Sequence, residues 1–177
     1  MGLTLSSSCC PSSRQDAPAA EQTWKERLEA LMPYLGHRNW IVITDKAYPL
    51  QTSSGIITLY ADEPYEQVLE TVNGMIQKQD HVFAHVWLDE ELSAITENEV
   101  KGIDALRDDM RRILGPQAES MPHESLISRL DEAGKLYQVV LVKTPSLVPY
   151  TTSFFELDCG YWDSARQSLI DERMRNR

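Results

Sequence analysis

The stretch Gly36-His37-Arg38-Asn39-Trp40-Ile41-Val42-Ile43-Thr44-Asp45 constrains this chain most, because an unbroken apolar run rich in β-branched residues sits between a histidine and an aspartate. Trp40 to Thr44 reads as a short buried strand: Ile and Val suit a pleated surface, and nothing polar interrupts them. At about 3.3 Å per residue such a strand is roughly 17 Å long. His37 and Asp45 therefore stand at opposite ends of one strand. Unless a loop folds back, they either serve two sites or meet through a second subunit.

Further apolar segments alternate with this one. A helix is expected over residues 21–35, where Trp24, Leu28, Leu31, Met32 and Leu35 recur at helical spacing, with Pro33 disturbing the last turn and Gly36 as the stop. Residues 56–60 read as a second strand. A helix opening at Pro64 carries Val68, Leu69, Val72, Met75 and Ile76 on its buried stripe. Residues 81–88 form a third strand before the acidic turn Asp89-Glu90-Glu91. Helices follow over 97–114, ended by Gly115-Pro116, and 122–133, closed by Gly134. Residues 137–143 give the strongest strand signal, 152–157 a last strand, and 161–174 a C-terminal helix. Strands separated by helices predict an α/β fold: one three-layer domain over 21–177 with a mainly parallel sheet. Ligands in such sheets bind beyond the carboxyl ends of the strands, which puts Asp45 and the 145–150 loop near a candidate site.

Composition narrows the function classes. The 177 residues are 42% hydrophobic and 8% aromatic, enough for a core, and carry a net charge of −10 with a pI near 4.8. Phosphate-backbone binding needs clustered Lys and Arg, so nucleic acid is not an expected partner. A small neutral ligand held by hydrogen bonds fits better. No apolar run approaches the length of a transmembrane span. Residues 1–20 lack periodicity and read as a flexible tail. Leu5-Ser6-Ser7-Ser8-Cys9 is faintly similar to the end of a lipoprotein signal, without the basic start or long apolar core. The chain is thus exported or lipid-anchored if Cys9 ends a truncated signal, and otherwise cytoplasmic. Cys9, Cys10 and Cys159 form neither a disulfide framework nor a zinc site.

Several local motifs share an order seen elsewhere. Gly36-His37 followed by Asp45 and Pro49, the helix start Pro64-Tyr65-Glu66-Gln67-Val68-Leu69, the segment His81 to Leu92, the helix start His123-Glu124-Ser125-Leu126-Ile127, and Pro149-Tyr150 resemble, over roughly residues 31–160, the D-ribose pyranase and L-fucose mutarotase family (RbsD/FucU type). The resemblance implies an RbsD-like fold, a monosaccharide as partner, interconversion of sugar ring forms or anomers without metal or organic cofactor, and a ring-shaped homo-oligomer with sites at subunit contacts. It carries the role of proton donor onto His37 and hydroxyl-binding roles onto Asp45 and Tyr150. Two departures stand out. Thr152 occupies the place of the family's Asn, keeping a hydroxyl but not an amide's paired donor and acceptor. The segment Thr144 to Pro149 crosses directly where the family has a helical stretch with a basic sugar contact.

The residues themselves leave alternatives open. His37 is either a proton shuttle or a helix C-cap bonding terminal carbonyls. Asp45 either grips a hydroxyl or bonds its own turn. His81 and His85, about 13 Å apart on a strand, are too distant to share an ion. His123 sits at a helix start, where its peptide matters more than its ring. Asp108 and Asp109 read as a solvated helix face, and Cys159 as a structural thiol. A module that kept the fold and binds sugar, or serves only as structure, is the alternative to an enzyme.

Overall fold

The computed structural model describes residues 22–176. The tail over 1–20 and the lipid-anchor reading of Cys9 lie outside the described residues. Helix α1 (Trp24–Leu31) opens on a capping box in which the Thr23 hydroxyl and the Glu26 carboxylate satisfy each other's backbone N–H groups. Pro33 does split off the last turn, which becomes a 3₁₀ segment (Met32–Tyr34). Then follow β1 (Trp40–Thr44), β2 (Ile56–Tyr60), α2 (Tyr65–Gln77), β3 (Val82–Asp89), α3 (Ile103–Leu114), β4 (Glu119–Met121), α4 (His123–Leu136), β5 (Val139–Lys143), β6 (Ser153–Cys159) and α5 (Ser164–Arg175).

The six strands form one sheet in the order β2-β5-β1-β6-β3-β4. The pairs β2–β5, β5–β1 and β3–β4 are parallel, while β6 runs antiparallel to both β1 and β3. All strands but β6 therefore point the same way, and the sheet is mainly parallel. β1 is buried along its whole length, as its uninterrupted apolar run requires. Side chains alternate between two cores. Ile41, Ile43 and Phe155 pack under α1, α2 and α3, whereas Trp40, Val42 and Phe154 pack under α4. Helices on both faces of the sheet give the three layers.

The structure moves several boundaries. The helix expected from residue 97 begins only at Ile103, because Gly102 takes a left-handed φ of +84° and breaks the run. The Glu97 carboxylate then caps the new start, accepting from the N–H groups of Gly102 and Asp104 at 2.9 and 3.0 Å. Gly36 does not supply the left-handed turn after the first helix; Arg38 does, at φ +73°. Gly134 lies inside α4 instead of closing it, and it is buried. A Cβ on neighbouring Gly55 would stand 2.2 Å from the Gly134 carbonyl oxygen, so bare backbone is what lets the start of β2 reach α4. Helix α5 has no buried residue.

Candidate functional site

The carboxyl ends of the parallel strands hold the hollow that the sheet topology anticipates. Because β6 is reversed, the loop before it arrives at this same edge. A cavity of about 490 Å³ opens between the loop after β1, the start of α4 and the loop before β6; Asp45, Tyr48, His123, Asp131, Tyr150 and Thr152 line it. Its size is that of small-molecule sites.

Three of the four residues expected from the sequence meet here. Asp45 follows β1, and its Oδ1 accepts the N–H of Tyr48 at 2.8 Å. That is the turn bond of the alternative reading, and it occupies one of the two carboxylate oxygens. Tyr150 takes a left-handed backbone, φ +57°, and is an exposed residue that lines the cavity. It meets the His123 ring edge-on, with centroids 5.6 Å apart and planes at 85°. Thr152 is 3% exposed and forms part of the wall.

His123 is the residue that sequence reasoning undervalued. Its peptide N–H does donate to the Glu91 carboxylate, at 3.0 and 3.1 Å. Its ring matters as much: Nδ1 lies 2.9 Å from Oδ1 of Asp89. Asp89, read from the sequence as a turn residue, is the last residue of β3, and its side chain is fully buried. Its Oδ2 has no hydrogen-bond partner. Burial pushes the Asp89 carboxyl above its ordinary value; the bond and charge of His123 oppose the rise, the Glu91 charge adds to it, and Thr152 beside it opposes it. A carboxylate on Nδ1 fixes the tautomer of the imidazole and leaves Nε2 as the nitrogen that gives or takes a proton.

His37 is elsewhere. It precedes β1, at the opposite end of the strand from Asp45, as the strand length required. It is not a helix C-cap: its Nδ1 lies 2.5 Å from Oδ1 of Asp158, near the end of β6. His85 approaches the other oxygen of Asp158 at 3.4 Å, and Arg38 Nε donates to His37 Nε2 at 3.1 Å. Burial works against the Asp158 charge, but the Cys159 N–H and the two histidines outweigh it and hold this carboxyl below its ordinary value. It is His81 that bonds a carbonyl at the end of the first helical segment, with Nε2 at 3.0 Å from Leu35 O. Among the described residues, no three His, Cys, Asp or Glu side chains come close enough to hold a metal ion. No helix among them is long and apolar enough to cross a membrane.

The fold is of the RbsD/FucU type. RbsD of Bacillus subtilis, solved with D-ribose, superposes with a TM-score of 0.55 at 15% identity, covering 86% of this chain and all of that one. FucU of Bifidobacterium longum gives 0.49 at 14% identity, covering 75% of this chain and 93% of its own. A fucose mutarotase of Streptococcus pneumoniae, solved with L-fucose, gives 0.47 at 16%, covering 74% and 89%. No family model and no curated protein sequence matches the chain. At 15% identity the likeness to RbsD establishes the fold alone.

Proposed function

We propose that the hollow binds a monosaccharide and interconverts its ring forms or anomers by proton transfer alone. The observation that carries this reading is the His123 ring, backed by the buried Asp89, beside Asp45, Tyr150 and Thr152 in one cavity. Opening a sugar ring requires one group to take the anomeric hydroxyl proton while another protonates the ring oxygen as its bond to the anomeric carbon breaks; closure reverses both transfers. His123 Nε2 serves one transfer, with the buried Asp89 charge supporting the imidazolium that forms. Asp45 and Tyr150 hold hydroxyls, and Thr152 adds a hydroxyl to the wall. His37 enters as the second proton-transfer group only from another copy of the chain, in a ring-shaped homo-oligomer. The likeness in fold to a protein solved with D-ribose supports the choice of ligand class.

Saturation-transfer NMR on a panel of aldoses tests the proposal. Wild-type protein is expected to speed exchange between ring forms, and His123→Ala and Asp89→Asn to lower that rate by about 10²-fold or more. Exchange no faster than in buffer, for every sugar, refutes it. A second reading, a sugar-binding module without catalysis, is favoured by one observation: no lysine or arginine lines the cavity. That reading predicts ligand line broadening with unaccelerated exchange.

A further inference from the structure

The buried carboxylate of Asp89 is only half satisfied. Oδ1 faces His123 Nδ1 at 2.9 Å, while Oδ2 is sealed from solvent and has no hydrogen-bond partner among the described residues. Leaving a buried charged oxygen without a donor is costly, so a donor is expected close by. The sheet supplies one. In the antiparallel β3–β6 ladder Leu88 stands opposite Ser153, so the next step sets Asp89 opposite Thr152. Residues directly opposite in such a ladder have Cβ atoms about 4.5–5.5 Å apart. Alternation puts both side chains on the face that carries Trp87 and Phe154 under α4. Thr152 is 3% exposed and lines the cavity. Because Oδ2 has no partner, the Thr152 hydroxyl is turned away from it in this structure; rotation about χ1 from one staggered position to another brings the two together.

The other polar groups around this carboxylate are less suited to the task. Glu91, in the turn after β3, is itself an anion and accepts the His123 N–H. Tyr65 on α2 pairs its hydroxyl with Ser153 Oγ at 2.7 Å, in the core on the far face of the sheet. Glu124 and Asp131 on α4, and Asp45 after β1, bring only negative charge. Tyr48 is the rival donor, and its oxygen is already bonded by Gln51 Nε2 at 3.2 Å. Thr152 is the neutral donor that strand pairing itself sets beside Asp89. A hydrogen bond from it favours the ionised carboxyl and restrains the rise that burial imposes.

Resting on the reading of His123 as a proton-transfer group, we propose that Thr152 is a positioning residue: its hydroxyl turns from the cavity wall onto Oδ2 of Asp89 as His123 takes a proton, and the carboxylate, now held at both oxygens, keeps the imidazolium aimed into the cavity. No proton changes owner in this bond. The proton of the anomeric hydroxyl goes to His123 Nε2 and leaves from there, while Thr152 only donates a hydrogen bond. Thr152 thus acts through Asp89 and not on the sugar. That gives threonine its own task at the place where the family resemblance implied an asparagine in contact with ligand.

NMR of the full chain tests this, with the side-chain carboxyl carbon of Asp89 followed from about pH 3 to pH 9. Thr152→Val keeps the shape and removes the donor, and should move the Asp89 midpoint up by about one pH unit or more. Thr152→Ser, which keeps the hydroxyl, should bring most of that shift back. In the wild-type chain the three-bond couplings of the Thr152 methyl group to its backbone nitrogen and carbonyl carbon should change as His123 titrates, which reports the turn. An Asp89 midpoint in Thr152→Val within error of wild type, an equal rise in Thr152→Ser, or a larger rise in Tyr48→Phe overturns the proposal. So do couplings that stay constant through the His123 titration, a measurement that needs no variant and decides the matter even where Thr152→Val fails to fold. The catalytic reading fails separately: a raised midpoint and a turning Thr152 without faster sugar exchange leave this inference standing, and faster exchange with an unmoved midpoint does the reverse.

Discussion

Removing the His123 ring should expose how strongly the cavity depends on Asp89, and pH is the variable that shows it. In the folded chain burial holds the Asp89 carboxyl above its ordinary value, and His123 is the largest influence opposing that rise. An acid whose pKa is raised by folding keeps its proton longer in the folded chain than in the unfolded one. It therefore supports the fold at low pH, and that support is lost as pH climbs through the folded value. His123→Ala deletes both the hydrogen bond and the charge that restrain the rise, so the loss should deepen and extend to higher pH. At neutral pH the variant forfeits a hydrogen bond to a charged group, worth about 1.5–3 kcal/mol, and leaves the buried carboxylate with neither oxygen paired. Adding Asp89→Asn to it removes the charge. Between the ordinary carboxylate value near 4 and the raised one, the single variant should fall behind the double at up to about 1.4 kcal/mol per pH unit, then run parallel to it. Urea unfolding of wild type, both single variants and the double, followed by circular dichroism from about pH 4 to pH 8, measures this directly. Parallel profiles for His123→Ala and the double across that range would show that Asp89 is not the buried charge described here.

Two further outcomes rest on packing. Gly55→Ala should cost about 3–5 kcal/mol, since the new Cβ meets backbone oxygens at 2.2 and 2.8 Å, and parting them strains the two bonds that the Gly55 carbonyl accepts from Val139 N and Gln138 Nε2; a urea midpoint within error of wild type contradicts the close approach. Arg129 lies over the rings of both Trp40 and Trp87, at 5.5 and 4.8 Å, and bonds Glu156 at 2.7 Å. Arg129→Ala should cost about 1–2 kcal/mol and shift tryptophan emission to longer wavelength, with Arg129→Lys recovering only part of it; unchanged emission argues against the sandwich.

What the sequence disclosed followed physical periodicity. The β-branched run Trp40–Thr44 and the stripe on α2 needed only a period and an end signal, and both elements stand where they were expected. The strand β4 left no such trace, because three residues at the sheet edge, pairing with β3 alone, are too short to alternate. Asp89 resembled a turn acid because two more acids follow it; its burial is set by what packs over it, which local pattern does not encode. His123 and Asp89 are 34 residues apart and His37 and Asp158 are 121 apart, so neither pair could be read from spacing. Asp45 and the 145–150 loop were legible because the carboxyl ends of parallel strands share one sheet edge; Tyr150 and Thr152 as sugar contacts came only from the family resemblance, and the cavity they share with Asp45 appears in the fold.

The reversed strand β6 makes the chain intolerant of one kind of change. Its first residue adjoins Thr152 in the cavity wall, and Asp158 near its last meets His37 and His85. Seven residues at about 3.4 Å each make it a gauge of roughly 24 Å between the two poles of the molecule. Exchanging a side chain along it leaves that gauge intact. Deleting a single residue would swap Phe154 and Phe155 between the two hydrophobic layers and slide one pole out of register with the other, so natural drift in this segment should take the form of replacements and not of changes in length.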